Sequence, residues 1–135
     1  MAHTSSLTEA SLERVIPAFY ARVRKDDLIG PVFNDAIDDW GPHLEKLIAF
    51  WSSVMLTSGR YKGNPVAAHA KHARILTPDM FERWLALWRQ TTNDLLPVAD
   101  AQAMQAKAER ISESLKLALW FKIPQPDHRN SPATS

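Results

Sequence analysis

The chain has 135 residues, of which 45% are hydrophobic and 23% are charged, a composition that suits one globular domain with a buried core. Its net charge of +1 gives no reason to expect a nucleic acid or an anionic membrane as partner. The absence of cysteine excludes disulfides, iron–sulfur clusters and thiolate-bound zinc.

The start of the chain does not resemble a secretory signal. Residues 1–7 are polar and lack a basic region followed by an apolar run, so we expect a flexible N-terminus. No apolar stretch approaches the roughly 20 residues of a membrane-spanning helix. These features predict a soluble, cytoplasmic protein.

Helical periodicity dominates the chain, and prolines mark several helix starts. The pattern predicts a helix over residues 8–15 that bends at Pro17 and continues as a second helix to Lys25. Residues 26–39 are predicted to form a loop with a short turn, because Gly30-Pro31 is a strong breaker.

The remainder of the chain is also predicted to be helical. Four further helices are expected, over residues 42–57, 65–73, 78–95 and 100–121. Asn64 and Thr77 precede the prolines that open two of them and are good N-cap residues. Residues 124–135 are polar and rich in proline, which predicts a disordered tail. The result is an all-α domain of about six helices over residues 8–123.

The helix predicted over residues 42–57 carries a histidine at one end of an apolar face. Helical spacing places His43 on the same face as Leu47, Phe50 and Trp51. Such a wall with an imidazole at its edge could cover one side of a flat aromatic cofactor. A partly buried structural histidine is the plainer alternative, and the residues alone leave it open.

A second histidine, His69, follows a segment that starts at Tyr61 and contains a glycine and a proline. Small alanines flank His69, so a bulky group can approach this helix closely. A neutral imidazole is a good ligand for haem iron, and a hydrogen-bond acceptor behind it would orient the ring. The alternatives are an exposed histidine in a short helix, or ligation by the rival His72.

Two further residues join these histidines in a predicted haem pocket. Tyr20 and Trp84 each bring an apolar body and one hydrogen-bond donor from separate helices. Taken alone, each of these residues is more often an ordinary residue of the hydrophobic core.

Other catalytic patterns are weak: the sequence has no glycine-rich phosphate loop, no His-Glu-x-x-His motif and no nucleophile elbow.

At these residues the chain resembles the truncated haemoglobins, specifically their third group. The matching motifs, in chain order, are Phe19-Tyr20-Ala-Arg-Val-Arg, Leu28-Ile-Gly-Pro-Val-Phe33, Trp40-Gly-Pro-His43 with Phe50-Trp51 following, Tyr61-Lys-Gly-Asn-Pro-Val-Ala-Ala-His69 and Phe81-Glu-Arg-Trp84-Leu. The resemblance spans residues 12–119. It implies a truncated globin-like two-over-two helical sandwich that encloses a haem.

The resemblance also implies roles for individual residues. His69 corresponds to the iron ligand of haem b (iron protoporphyrin IX), although residues 70–76 are longer and more basic than expected and contain His72. Tyr20 and Trp84 correspond to polar groups of the distal pocket, and His43 to a distal gate or hydrogen-bond donor. The resemblance further implies an apolar pocket wall formed by Phe33, Leu47, Phe50 and Trp51. It implies Lys46 and Arg74 as partners of the haem propionates.

The implied ligands are dioxygen, nitric oxide, carbon monoxide or peroxide, with an unidentified reductase as partner. Two strong donors beside bound dioxygen would slow its release, which favours redox chemistry or detoxification of reactive nitrogen and oxygen species over bulk oxygen transport. The enzymatic hypothesis is a nitric oxide dioxygenase-like or peroxidase-like activity. A gas or redox sensor without turnover and a haem-free helical interaction domain are the alternatives.

Overall fold

The computed structural model describes residues 6–70, 72 and 75–120. Over these residues the fold is all-α, as predicted, and contains no strand. Its helices are α1 (Glu9–Lys25), α2 (Gly30–Ala36), α3 (Trp40–Leu56), α4 (Pro65–Ala70), α5 (Pro78–Leu95) and α6 (Val98–Trp120). In this part of the chain, no helix combines the length and apolar character that a bilayer span requires. The predictions for residues 1–5, for Phe121 and for the tail at 124–135 fall outside the described residues.

The first helix continues through Pro17, so the predicted bend into two helices is wrong. α1 begins with a capping box in which Thr8 and Ser11 exchange backbone and side-chain hydrogen bonds at 3.2 Å. A proline inside a helix costs about 3 kcal/mol. One face of α1 offsets that cost by burying six apolar or aromatic side chains: Leu12, Val15, Ile16, Phe19, Tyr20 and Val23.

The segment predicted as a loop contains a helix, α2. Pro31 lies in its first turn, where a missing N–H would have no partner, so Gly30-Pro31 starts a helix here rather than breaking one. Gly30 is buried at the point where α2 meets the end of α1. A Cβ atom at Gly30 would lie 2.8 Å from the carbonyl oxygen of Arg24, and only glycine permits this approach.

The other helix boundaries lie close to the predicted ones. α3 begins at Trp40 and ends at Leu56, and its C-cap residue Thr57 has a positive φ of 54°. Asn64 and Thr77 cap α4 and α5 as predicted, since their side-chain oxygens accept hydrogen bonds from Ala67 N–H at 3.1 Å and Met80 N–H at 3.3 Å. α4 is described over Pro65–Ala70, and the rest of its predicted range, with the fraying point at Ala73, lies outside the described residues except for His72.

The helices form two layers. α1 packs against both α3 and α5, and α5 also packs against α6. The α1–α3 pair is thus layered on the α5–α6 pair, which is the predicted two-over-two arrangement. α2 contacts α1, and α4 contacts α6. Apolar side chains between the layers make the core, with Trp88 and Phe19 fully buried near its centre.

Asp26 ties the end of α1 to α2 and α5. Its carboxylate accepts hydrogen bonds from the N–H groups of Leu28 at 3.0 Å and Ile29 at 3.1 Å, and pairs with Arg83 at 2.6 Å. Burial raises the pKa of the Asp26 carboxyl, but the bonds from Ile29, Arg83 and Leu28 outweigh it and hold the pKa below its usual range. The folded protein therefore favours the ionised carboxylate.

Asp26→Asn is expected to lower the free energy of unfolding at neutral pH by about 1–3 kcal/mol, because the N–H groups of Ile29 and Leu28 and the Arg83 guanidinium lose a charged partner. A carboxyl with a lowered folded pKa contributes stability that is present above its unfolded pKa of about 3.9 and is lost as the pH falls through the folded value. Urea titrations across acidic pH should therefore show a flatter profile for the variant. Asp27→Asn, at the exposed neighbouring position, is the control. Equal profiles for both variants would contradict this role of Asp26.

Candidate functional site

Tyr20 lies on the buried face of α1 in an aromatic pocket. Its ring centroid is 4.7 Å from that of Phe19 and 5.8 Å from those of Phe33 and Trp40. Burial raises the pKa of the Tyr20 phenol to about 12, and a hydrogen bond from the Trp84 side chain lowers it only in part. At neutral pH Tyr20 is therefore an O–H donor in apolar surroundings.

Trp40 connects Tyr20 to His43 and is the site residue that the sequence prediction missed. Its ring lies 5.8 Å from Tyr20 and 5.7 Å, edge-on, from His43. On its other side the Arg24 guanidinium carbon stands 4.7 Å from the indole centroid, a cation–π contact. The available signal was the motif Trp40-Gly-Pro-His43, which puts the two rings one helical turn apart on α3.

His43 is half-buried in the first turn of α3. Burial lowers the pKa of its imidazole, and the positive charge of Lys46 lowers it further. His43 is therefore neutral at neutral pH and can both donate and accept one hydrogen bond. Lys46 is exposed, so its ammonium group can pair with a charged group at the surface.

The apolar residues of α3 are incompletely covered by the rest of the protein. Of the 17 residues in this helix, the buried ones are Trp51 and Ser52 alone. Eight hydrophobic side chains that pack against the core stay partly exposed: Trp40, Leu44, Leu47, Ile48, Phe50, Val54, Met55 and Leu56. Because exposed apolar area is costly, such a face suits an apolar ligand.

Trp51 and Trp84 belong to a stack of three indoles. Trp88, which is fully buried, lies between them at 4.5 Å from Trp51 and 5.5 Å from Trp84, with interplanar angles of 22° and 6°. Trp51 is thus a core residue on this side, and its predicted role as pocket wall stays a prediction. Trp84 is half-buried and reaches the Tyr20 hydroxyl, so two donors of the predicted site lie together.

The segment between α3 and α4 is anchored near its α3 end. Ser52 donates a hydrogen bond to the Glu9 carboxylate and contacts Ser58 at 2.7 Å, and Arg60 pairs with Glu9 at 2.5 Å. The bond from Ser52, with the charge and bonds of Arg60, holds the pKa of Glu9 below its usual range. These contacts fix the path of the chain toward α4.

His69 is half-buried on α4, and its Nδ1 lies 2.7 Å from the carbonyl oxygen of Pro65. With Nδ1 carrying the proton, the ring is oriented and Nε2 has its lone pair available for a metal. Within the described residues, neither a ring contact nor a hydrogen bond joins His69 to the pocket around Tyr20. His72 is half-buried, and its backbone N–H donates to the His69 carbonyl at 2.9 Å. Arg74 lies outside the described residues.

An open cleft of about 450 Å³ lies away from these residues, between the start of α5 and the end of α6. Leu76, Pro78, Leu117 and Trp120 form its apolar lining, and Lys116 pairs with Glu113 at 3.0 Å beside it. No predicted site residue lines this cleft, so it is distinct from the candidate site.

The fold and the candidate site together define a globin-like two-over-two sandwich with an oriented imidazole, a buried phenol and an uncovered apolar helix face. The chain is 34% identical over 122 residues to the group 3 truncated haemoglobin ctb of Campylobacter jejuni, an alignment that covers 85% of this chain and 93% of the relative. The crystal structure of a group III truncated haemoglobin from Campylobacter jejuni superposes with a TM-score of 0.76 at 28% identity, and covers 92% of this chain and 100% of that one. No family model matches the sequence.

The chain therefore belongs to the group III truncated haemoglobins.

Proposed function

We propose that this protein is a haem protein that binds dioxygen and other diatomic ligands at an iron held by His69, and that it uses them in redox chemistry or detoxification rather than bulk oxygen transport. Membership of the family supports the coarser part of this statement, a haem globin that binds diatomic ligands. The observation that carries the proposal is a buried aromatic cluster in which Phe19 lies against both donor residues, 4.7 Å from Tyr20 and 5.3 Å from Trp84 between ring centroids.

The residues present fit a haem b group. The apolar face of α3 offers Leu47 and Phe50 to a flat apolar macrocycle, and the exposed Lys46 suits a propionate. His69 offers one oriented imidazole nitrogen, which is the axial ligand that haem iron takes in globins. Arg74 is proposed as a second propionate partner. When bound, the haem supplies an iron that binds a diatomic ligand and exchanges electrons.

For a bound ligand, this chain would supply two hydrogen-bond donors. The raised pKa of Tyr20 keeps its proton available, and the Trp84 N–H lies beside it. Both are held on long helices in low-dielectric surroundings, where a hydrogen bond to a partly negative ligand is stronger than in water. His43 is half-buried at the edge of this pocket, in contact with Trp40, and suits a gate between the pocket and solvent.

The test of this function is a set of absorption spectra of the purified protein after haemin addition: ferric, dithionite-reduced and under carbon monoxide. The proposal predicts an intense Soret band that shifts with carbon monoxide. A colourless protein whose melting temperature haemin does not change would instead identify a haem-free interaction domain. Nitric oxide or peroxide consumption with an added reductase separates turnover from a sensor, which binds its ligand without consuming it.

The double substitution Tyr20→Phe with Trp84→Phe is expected to accelerate dioxygen dissociation. A hydrogen bond to a charged partner contributes about 1.5–3 kcal/mol, so each lost donor should raise the rate by roughly ten- to hundredfold. Stopped-flow displacement of dioxygen by carbon monoxide measures this rate. Trp120→Phe, at the far end of α6 beside Phe81, is the matched control. An unchanged rate in the double variant would refute the role of the two donors.

A further inference from the structure

The three stacked indoles run through the core as one continuous column. Trp84 and Trp88 are four residues apart on α5 and lie almost parallel, while Trp51 reaches Trp88 from α3. All neighbouring rings are within 5.5 Å, centroid to centroid. The column therefore passes from the layer that contains α5 to the layer that contains α3.

Both ends of this column meet groups that can exchange electrons or protons. At one end, the Phe19 ring connects Trp84 to the Tyr20 phenol of the candidate site, at 5.3 Å and 4.7 Å between ring centroids. At the other end, Trp51 contacts Phe50 at 5.6 Å, and Phe50 contacts Tyr61 at 5.1 Å. Tyr61 is half-buried, so part of this residue is exposed to solvent. The aromatic residues thus connect the candidate site to the protein surface.

The geometry of the column favours oxidation of its central member. This stacking differs from the neighbouring pairs of Phe19 with Trp84 and Trp88, which meet edge-to-face. Indole is the most readily oxidised apolar side chain, and a positive charge on the Trp88 ring would face the electron-rich surfaces of two neighbouring indoles. Its N–H donates to the carbonyl of Met104 at 3.1 Å, which stabilises the same charge and retains the proton.

We propose that Trp84, Trp88 and Trp51 form an electron relay that supplies the site at Tyr20 when hydrogen peroxide is reduced there, an inference that rests on the proposed haem function. Each hydrogen peroxide accepts two electrons and two protons and leaves as two waters. The electrons leave the indole column singly, and each indole radical cation is reduced by one electron from a small reductant such as ascorbate near Tyr61. Two ascorbate anions, oxidised by one electron each, release the two protons.

The test is freeze-quench electron paramagnetic resonance of the haem-loaded, full-length protein mixed with hydrogen peroxide. The relay predicts an indole radical in the wild type, and loss of most of that signal in Trp88→Phe, while Trp120→Phe retains it. Peptide mapping should show oxidised indoles at Trp51 and Trp88 in the wild type. A radical of unchanged yield and position in Trp88→Phe, or an equal loss in Trp120→Phe, would overturn the relay.

A second arm separates the relay from the haem itself. A photoexcited ruthenium complex oxidises the same protein without peroxide, and transient absorption follows the indole radical. A missing Soret band would refute the proposed function, and this arm would still decide whether Trp88→Phe removes the radical. If Trp88→Phe does not fold by circular dichroism, Trp51→Phe interrupts the column at its other buried member and is expected to give the same loss.

Discussion

Replacing His69 with alanine is expected to lower haem affinity by more than roughly 100-fold, because loss of a group that merely orients a metal ligand already costs about 10–100-fold. The Soret band of the ferric protein should be lost or displaced, and its shift under carbon monoxide should change. The reason is geometric: the Pro65 carbonyl holds Nδ1 at 2.7 Å, so that Nε2 is the nitrogen available to iron. Haemin titration followed by absorption spectroscopy measures the effect.

His72→Ala is the matched control for this experiment. His72 is the nearest rival imidazole, and the hydrogen bond that it makes to the His69 carbonyl comes from its backbone, which the substitution preserves. The control should retain the wild-type spectrum and haem affinity. A Soret band that survives His69→Ala and disappears in His72→Ala would reassign the iron ligand to His72.

Trp88→Ala is expected to be the most destabilising single substitution among the aromatic residues, at about 3–5 kcal/mol. The cavity would open between Trp51 and Trp84, and the Met104 carbonyl would lose its buried donor. For a chain of this size each kcal/mol lowers the melting temperature by roughly 2–6 °C, so a fall of about 10–20 °C is expected. Thermal and urea unfolding followed by circular dichroism measure it.

Trp120→Ala provides the reference for Trp88→Ala. Trp120 is half-buried at the end of α6 and contacts Phe81 edge-on. Because its side chain is partly exposed, replacing it with alanine should not leave an enclosed cavity. Its cost should be clearly smaller than that of Trp88→Ala. If the two substitutions cost the same, the indole column is not the centre of the core.

The helices that the sequence predicted best are those with both a periodic face and a chemical start signal. α5 begins at Pro78 behind the Thr77 cap and ends at Leu95, as predicted. The two errors both concern a proline that was treated as a break in the helical pattern. At Pro17 the apolar face of α1 carried the helix through the proline, and at Pro31 the proline occupied a first turn.

The candidate site was predictable as a set of residues but not as an arrangement. Tyr20 and Trp84 come from distant segments, and the structure places them in contact. Trp40 was missed because its role depends on meeting Tyr20 and His43 together, and one-dimensional spacing does not show such a meeting. Helical spacing also put Trp51 on the His43 face, although its ring is used in the core.

The space beside Tyr20 is set by a residue that has no side chain. Gly30 lets α2 press against the backbone of α1, where an added Cβ would stand 2.8 Å from a carbonyl oxygen that cannot move aside. α2 in turn carries Phe33, whose ring lies 5.8 Å from that of Tyr20. If ligands bind beside Tyr20 as proposed, a larger residue at Gly30 is expected to change their access by displacing α2 and its Phe33 ring, without altering any side chain in contact with Tyr20.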